Sequence, residues 1–584
     1  MTKKTILLTV FMALALSMGA MPAKKGAKKM IRLADGTSVL AELKGDEFKS
    51  YWQAADGKCF SLDPDKKVFK EIDLASFSPA FSEKRDLINK SRVKRLNKVA
   101  SRASLGGDHL EYKGKKKGLI ILAQYKDKKF KSYHDLAYYK DLANKPGFST
   151  AYGHVGSVRD YFLAQSNGEF ELDFDVVGPV ELPNNYAYYG AHSKNGDNDS
   201  KPGTMVAQAC KLADEKFGVN FADYDWDGDG EVEQVYVLYA GQGEAAGGDE
   251  DTVWPHEFVL SSSDWGSALS LDGVKIDTYA CGSEQSITVV YNHFTGTYKV
   301  KEFPDGIGTI CHEFSHCLGF PDMYDVNYGG NYGMGCWDLM DQGSYNGEGR
   351  GYCPANFTAY EKMYAGWLQP IALDKATTIK GVKSASDYGQ TFVVYNEANN
   401  NECYLLENRQ LTGWDAALPG HGLMITHLDY DPNIWQMNNV NTIVNYSGTY
   451  GDQYAIYDND HQRCTIFHAD NTTKDDTKAL YPITGNNSLT DTSEPAATVY
   501  NAKADGSLLM GKPITNITQN EDGTIGFDFM GGSDNNIINA IENITIQQPS
   551  KFTGYYTLDG RYAGSSFSSL PKGVYITNGK KIIK

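Results

Sequence analysis

The segment His312-Glu313-Phe314-Ser315-His316 constrains this chain more than any other. Two histidines at i and i+4 share one helix face, so both imidazoles can reach a single ion. Glu313, one residue after the first histidine, stands beside that ion, where a water can be deprotonated. Gly319 follows His316 by three residues, and Phe320-Pro321-Asp322 follows at once. A glycine there permits a left-handed turn that ends the helix and brings the chain back under the ion. Asp322 then supplies a third, oxygen ligand, leaving a fourth position open for water. The full pattern is HExxHxxGxxD. A more distant glutamate as third ligand is the alternative. Downstream, Trp337 to Tyr345 contains Met340 and is expected to turn beneath the ion.

The surrounding sequence mixes helical and strand patterns, an α+β arrangement. Helical periodicity covers Ser157–Gln165, Thr204–Phe217 and Asn356–Ala365. Strands are expected at Val235–Tyr239, Ile287–Tyr291 and from Gly118 to Ala123. Between about 375 and 530 short strands alternate with turns such as Pro419-Gly420, the pattern of a β-sandwich.

The stretch 306–345 resembles the immune inhibitor A family of secreted bacterial zinc metallopeptidases, which is similar to the metzincins. The resemblance extends to Asp225–Gly241, to Trp254-Pro255-His256, to Tyr360–Trp367 and to Leu418–Asp429, about residues 117–530 in all. It implies His312, His316 and Asp322 as zinc ligands, Glu313 as general base and Met340 as the Met-turn residue. Tyr239 departs from the family pattern, which has histidine before Ala-Gly. Tyr345 is a packing residue or a group that polarises a substrate carbonyl.

Asp225, Asp227, Asp229, Glu231 and Glu233 place oxygen donors at alternate positions around Gly230, like the start of a calcium loop. Tyr236 stands where an EF-hand has its bidentate glutamate, so the loop is not an EF-hand. His421, His427 and His468 are read as packing or surface residues.

Lys3 and Lys4, the apolar run Ile6–Leu16 and Ser17-Met18-Gly19-Ala20 form a signal peptide over residues 1–20. The run is shorter than a membrane span, and no later stretch is apolar enough for one. Residues 21–116 resemble the family's propeptide followed by a basic linker. The stretch 84–117, with twelve Lys/Arg against three Asp/Glu, is where activating cleavage is expected. Residues 1–120 balance at +12 and residues 121–584 at −29, so a basic front faces an acidic body. The net charge of −17 argues against nucleic acid as partner. Cys59 is a candidate thiolate for silencing the zymogen, against the reading of an ordinary strand cysteine. The nine cysteines show no paired CxxC spacing, so a cysteine-rich zinc site is not indicated.

The expected organisation is a catalytic domain over 117–370, metzincin-like in fold, a β-sandwich-like domain over 371–530, a linker over 531–545 and a tail over 546–584. The tail resembles the sorting domain of the type IX secretion system. The expected function is a secreted, monomeric zinc endopeptidase made as a zymogen. It acts on protein or peptide substrates with a zinc-activated water and Glu313 as base. A surface adhesin or glycan-binding protein with an inert protease-like domain is the alternative.

Overall fold

The computed structural model describes residues 19–48, 50–74, 112–193, 198–292 and 297–540, with short strands between 555 and 584. The signal-peptide run and most of the basic stretch lie outside the described residues.

One mixed sheet organises the middle of the chain. Its strands are β1 (Gly19–Ala20), β2 (Gly114–Gln124), β3 (Phe170–Glu181), β4 (Val235–Gln242), β5 (His256–Val259), β6 (Thr278–Asn292) and β7 (Thr297–Pro304). Their order is β1-β5-β6-β4-β2-β3, and β7 pairs with β6. Contacts β6–β4, β4–β2 and β2–β3 are parallel. The pairs β1–β5, β5–β6 and β6–β7 are antiparallel.

Parallel strands at the centre of a sheet are covered on both faces, which explains the unbroken apolar run Leu119–Ala123. Alternate side chains serve opposite layers. Leu119, Ile121 and Ala123 pack with Met205, Ala209 and Ala213 of the helix Pro202–Phe217. Ile120 and Leu122 pack with Phe162 and Phe314 on the other face, where the motif helix lies. Proline opens the helix Pro202–Phe217 and Gly218, at φ 64°, closes it. The helix Val158–Gln165 starts with a reciprocal Ser157–Asp160 capping box.

Strand β2 begins earlier than the sequence suggests. Lys115 and Lys117 are expected in an exposed, cleavable stretch, yet both lie in the strand. Lys115 pairs with Asp173 at 2.6 Å, and Lys117 with Asp175 and Asp223 at 3.2 Å. Acidic residues on the neighbouring segments therefore give these lysines a place in the sheet.

The N-terminal block is a five-stranded antiparallel meander of Lys28–Arg32, Ser38–Gly45, Ser50–Ala54, Cys59–Asp63 and Val68–Ile72. Its Ile31, Leu43, Trp52 and Phe60 share one core with Met21, Ala23, Ala245, Trp254 and Tyr345. Lysines of the basic front meet acids of the body: Lys29–Glu250 at 2.7 Å, Lys25–Asp475 at 2.9 Å, and Lys67–Asp251.

Beyond residue 370, a five-stranded sheet (Ile371–Ala372, Phe392–Asn396, Asn399–Arg409, Gly422–Asp429, Cys464–Ile466) and a four-stranded sheet feed side chains into one core. Within the expected linker, Ile537–Asn539 pairs in parallel with Thr377–Val382, so this part of 531–545 is a sheet strand. The last described segments, Tyr555–Thr557, Tyr562–Gly564, Val574–Thr577 and Lys580–Ile583, form a small four-stranded sheet. No helix among the described residues is long and apolar enough to cross a membrane.

The motif helix Gly308–Ser315 packs closely against the turn around Ser344. A Cβ on Gly308 would lie 1.8 Å from the backbone oxygen of Ser344. Backbone cannot yield as a flexible side chain does, so Gly308→Ala should destabilise the protein by about 3 kcal/mol. Calorimetry should show a lowered thermal midpoint; an unchanged midpoint would mean that this packing is wrong.

Candidate metal centre

The motif helix ends at Ser315, and His316 begins a tighter 3-10 turn that closes at Gly319 with φ 85°. The left-handed glycine turns the chain back, and Asp322 arrives against both rings. His312 Nε2 lies 3.3 Å from Asp322 Oδ1, and His316 Nε2 lies 3.5 Å from it. Ligand-type atoms of His312, Glu313 and His316 lie within 4.8 Å of one another. All four side chains are buried.

The outer contacts determine what those atoms present. His312 Nδ1 bonds to the Leu339 carbonyl at 2.9 Å, and His316 Nδ1 to the Phe320 carbonyl at 2.7 Å. A carbonyl can only accept, so each Nδ1 carries a proton and each Nε2 is the ring nitrogen left to face Asp322. Two imidazole Nε2 atoms and a carboxylate oxygen therefore face one another inside the protein. A cation between them satisfies all three, and nitrogen with oxygen donors suits zinc. The residues present therefore fit the metal that the sequence pattern implies.

Each donor is braced. The loop bearing Leu339 contains buried Met340, whose carbonyl accepts from Met323 N at 2.8 Å and whose N–H donates to Asp338 Oδ1 at 2.8 Å. Asn438 holds Asp322 from two sides, donating to Oδ2 at 2.6 Å and accepting from the Asp322 N–H at 2.7 Å. Asn438 sits at φ 55°, a left-handed conformation that asparagine tolerates. It belongs to the β-rich part of the chain, more than a hundred residues away, and nothing in its local sequence marks it.

The electrostatics differ between the two acids. Burial would raise the Asp322 carboxyl, but the His316 and His312 rings outweigh it and hold the group well below the usual range. Burial, then the charge of Asp322, pushes Glu313 well above its ordinary value. Glu313 Oε2 is buried and has no hydrogen-bond partner among the described residues. Glu313 thus lies next to the donor set with one oxygen uncommitted.

Its other oxygen is occupied. Oε1 accepts the backbone N–H of Met21 at 2.8 Å. The segment 19–25 runs through the cleft as an extended strap. Gly19 and Ala20 pair antiparallel with Glu257 and His256 on β5. Beyond Met21, Trp254 Nε1 donates to the Met21 carbonyl at 2.9 Å. Tyr345 Oη donates to the Pro22 carbonyl at 2.8 Å, and Gln342 Nε2 to the Ala23 carbonyl at 3.2 Å. Sequence reasoning missed this strap, because its residues carry no motif. Trp254 was visible only as part of a longer resemblance, and Tyr345 was read as a packing residue or a group that polarises a substrate carbonyl, not as a partner of this strap.

Other expectations fare unevenly. The thiol of Cys59 lies in a strand near Gly57 O and Gln53, and burial raises its pKa. A buried thiol is a poor thiolate, and the strap, not Cys59, lies against Glu313. All nine cysteines are free. In the acidic loop, carboxylates of Asp225, Asp227 and Asp229 come together, but Asp225 already accepts from the N–H groups of Gly228 and Gly230. Glu231 pairs with Lys275 at 3.3 Å, and Glu233 accepts from Trp226 N at 2.7 Å, so the five expected donors do not converge. Tyr239, in place of the family's histidine, donates to the Val253 carbonyl at 2.5 Å. His427 bonds to Glu402 and His421 to Gln519, and the His468 ring lies edge-on to Tyr332.

Residues 110–368 match the family described as immune inhibitor A peptidase M6, catalytic domain. A protein named pre-pro-metalloprotease PrtV from Vibrio cholerae is 27% identical over 255 residues, covering 40% of this chain and 26% of that protein. Immune inhibitor A of Bacillus thuringiensis subsp. alesti is 24% identical over 321 residues, 48% of this chain and 45% of that one. A putative secreted metallopeptidase of Arthroderma benhamiae is 26% identical over 234 residues, 36% of this chain and 32% of that one. The chain thus spans less than half the length of each of these relatives. The family match covers His312, Glu313, His316 and Asp322, and two of these relatives are named as a metalloprotease and a metallopeptidase.

Asp322 as a ligand and Asn438 as its brace give graded outcomes. Asn438→Ala should weaken zinc affinity about 10- to 100-fold, the usual cost of losing an outer contact. Asp322→Ala should weaken it further, since three protein ligands fall to two. Chelator competition on the purified variants reads both, and equal affinity in all three proteins would point to a different third ligand.

Proposed function

We infer that this protein is a secreted zinc endopeptidase, made in a latent form. The observation that carries the reading is the meeting of His312, His316 and Asp322 with Glu313 at their side. His312, His316 and Asp322 would hold the ion. When bound, zinc would supply Lewis acidity to a peptide carbonyl and make a water molecule more acidic. Glu313 takes a proton from that water as its oxygen bonds to the carbonyl carbon. It then delivers the proton to the amide nitrogen as the C–N bond breaks, giving a carboxylic acid and an amine. The position of Met21 N, at hydrogen-bond distance from Glu313, is where that nitrogen needs to be. The fold assignment that goes with this reading is a metzincin-like catalytic domain over 117–370 and a β-sandwich-like domain over 371–530, followed by a sorting-like tail. Calcium in the acidic loop of Asp225, Asp227, Asp229, Glu231 and Glu233 is a separate proposal, supported by the meeting of the first three.

Latency follows from the same contact. The strap fills the cleft where a substrate backbone would lie. The meander that comes after it docks through a shared apolar core and lysine–acid pairs. Removal of a signal peptide after Ala20 would turn Met21 N into an α-amine, adding a positive charge beside Glu313. Activation then requires the block to leave, and cleavage between residues 84 and 113 is the proposed trigger.

Two outcomes test this reading. Glu313→Ala should keep its zinc and lose about 10²- to 10⁴-fold in activity on casein once activated. Wild-type rates in that variant would refute the mechanism. The second outcome concerns pH. Burial first, and then Arg350, bring the Lys24 ammonium of the strap down to about 8, against the opposing pull of Asp305. Between pH 8 and the free value of 10.5, the docked strap therefore binds fewer protons than the released one. Docking is weakest below pH 8 and tightens as pH rises through that window. Peptide hydrolysis by unprocessed protein, relative to fully activated protein at the same pH, should fall from pH 8 to 10. Lys24→Met should flatten the dependence, and a ratio rising with pH would contradict it.

A further inference from the structure

We propose that Trp254 and Tyr345 are substrate-binding residues that grip the first and second carbonyls on the amine side of the bond to be cut, so that the enzyme takes extended polypeptides running at least two residues past that bond. The proposal rests on the hydrolase reading above.

The strap supplies the map. Its backbone approaches β5 as an added antiparallel strand, Gly19 opposite Glu257 and Ala20 opposite His256. Edge-strand addition is a general way for a protein to hold an extended peptide without regard to its side chains. At Met21 the backbone nitrogen reaches Glu313, which fixes the Ala20–Met21 peptide as the counterpart of a scissile bond. The first carbonyl past it receives the Trp254 indole N–H at 2.9 Å, and the second receives the Tyr345 hydroxyl at 2.8 Å.

These donors are built into the catalytic part of the chain. Trp254 is fully buried, and its backbone is fixed on three sides. Its N–H donates to Asp199 Oδ2 at 2.9 Å, its carbonyl meets His256 Nδ1 at 2.6 Å, and Tyr239 holds the carbonyl of Val253 before it. The tyrosine at 239 thus has a task that fits this site. Tyr345 lies in the turn just after the Met340 loop, and burial keeps its hydroxyl protonated and a donor. A buried indole N–H or tyrosine hydroxyl without an acceptor is costly. When the strap leaves, an incoming backbone that offers carbonyls at the same two points satisfies both. The Tyr345 hydroxyl sits on the second carbonyl past the bond, so it serves alignment, not polarisation of the carbonyl under attack.

The test pairs two variants with matched peptides, using full-length protein activated by limited trypsin digestion. The parent peptide is an acyl-Gly-Ala-Met-Pro-Ala amide. The first analogue replaces everything after Ala by 3-(methylthio)propylamine, which keeps the methionine side chain and lacks the first carbonyl. The second ends in methionyl-pyrrolidide, which keeps the first carbonyl and lacks the second together with the terminal alanine amide. Trp254→Phe should lower kcat/KM on the parent about 5- to 100-fold, as for an unmet buried hydrogen bond, and should change the first analogue by less than about twofold. Tyr345→Phe, which removes a single oxygen and is well tolerated sterically, should lower the parent similarly and spare the pyrrolidide. Equal losses on parent and analogue, or no loss on the parent, overturn the proposal while leaving the hydrolase reading intact. Wild-type protein that cleaves none of the peptides, or casein, overturns both.

Discussion

Everything around the centre depends on two hydrogen bonds that never touch a metal. His312 Nδ1 to Leu339 O and His316 Nδ1 to Phe320 O decide which nitrogen of each ring is left to face Asp322. Without them either ring could turn its other nitrogen inward. With them, both Nε2 atoms and a carboxylate converge as the donor set that a cation would take. The features nearby serve that arrangement. Gly319 at φ 85° returns the chain so that the Phe320 carbonyl can cap His316. The close approach of Gly308 to Ser344 seats the helix against the loop that carries Leu339. Asn438, reaching in from the β-rich region, stops Asp322 from rotating away. The β-rich region therefore helps to shape the centre.

Much of this was legible in the sequence, and the reasons for the gaps are physical. The five residues 312–316, with Gly319 and Asp322, specify a local geometry, because helix pitch and a left-handed turn act over ten residues. The apolar run Gly118–Ala123 announced a strand by the same kind of local rule, and its parallel pairing on both sides is seen only in the structure. Asn438 and Trp254 could not be read that way, because their partners are set by tertiary folding and a single asparagine or tryptophan has no period. The strap was hidden for another reason. Residues 19–25 bind through their backbone, and backbone recognition leaves almost no trace in side-chain composition. In the acidic loop, alternating carboxylates suggested five metal donors; Asp225, Asp227 and Asp229 come together, while Glu231 pairs with Lys275 and Glu233 accepts from the N–H of Trp226. Lys115 and Lys117 showed the same competition, since their acidic partners on neighbouring segments turned an apparent cleavage site into a strand.

Latency and catalysis in this reading draw on the same groups, and that has a thermodynamic consequence. While the strap and the body are one chain, the strap in this reading competes with substrate as an intramolecular ligand, at an effective concentration that a free substrate must match. In this reading a cut between the meander and the catalytic region leaves the strap's bonds to Glu313, Trp254 and Tyr345 in place. It changes only the concentration term, so the meander and strap remain bound until dilution, or their own proteolysis, removes them. The docked block has the properties of such a releasable ligand. Its ion pairs with Glu250, Asp251 and Asp475 are partly exposed, and pairs of that kind contribute on the order of 0–1 kcal/mol and weaken with salt. Specific hold comes instead from the buried apolar core around Trp52 and Met21 and from the backbone bonds to Glu313, Trp254 and Tyr345. A latent form held mainly by its own active-site donors is blocked most firmly where a substrate must enter. It is released by severing the chain between the block and the body.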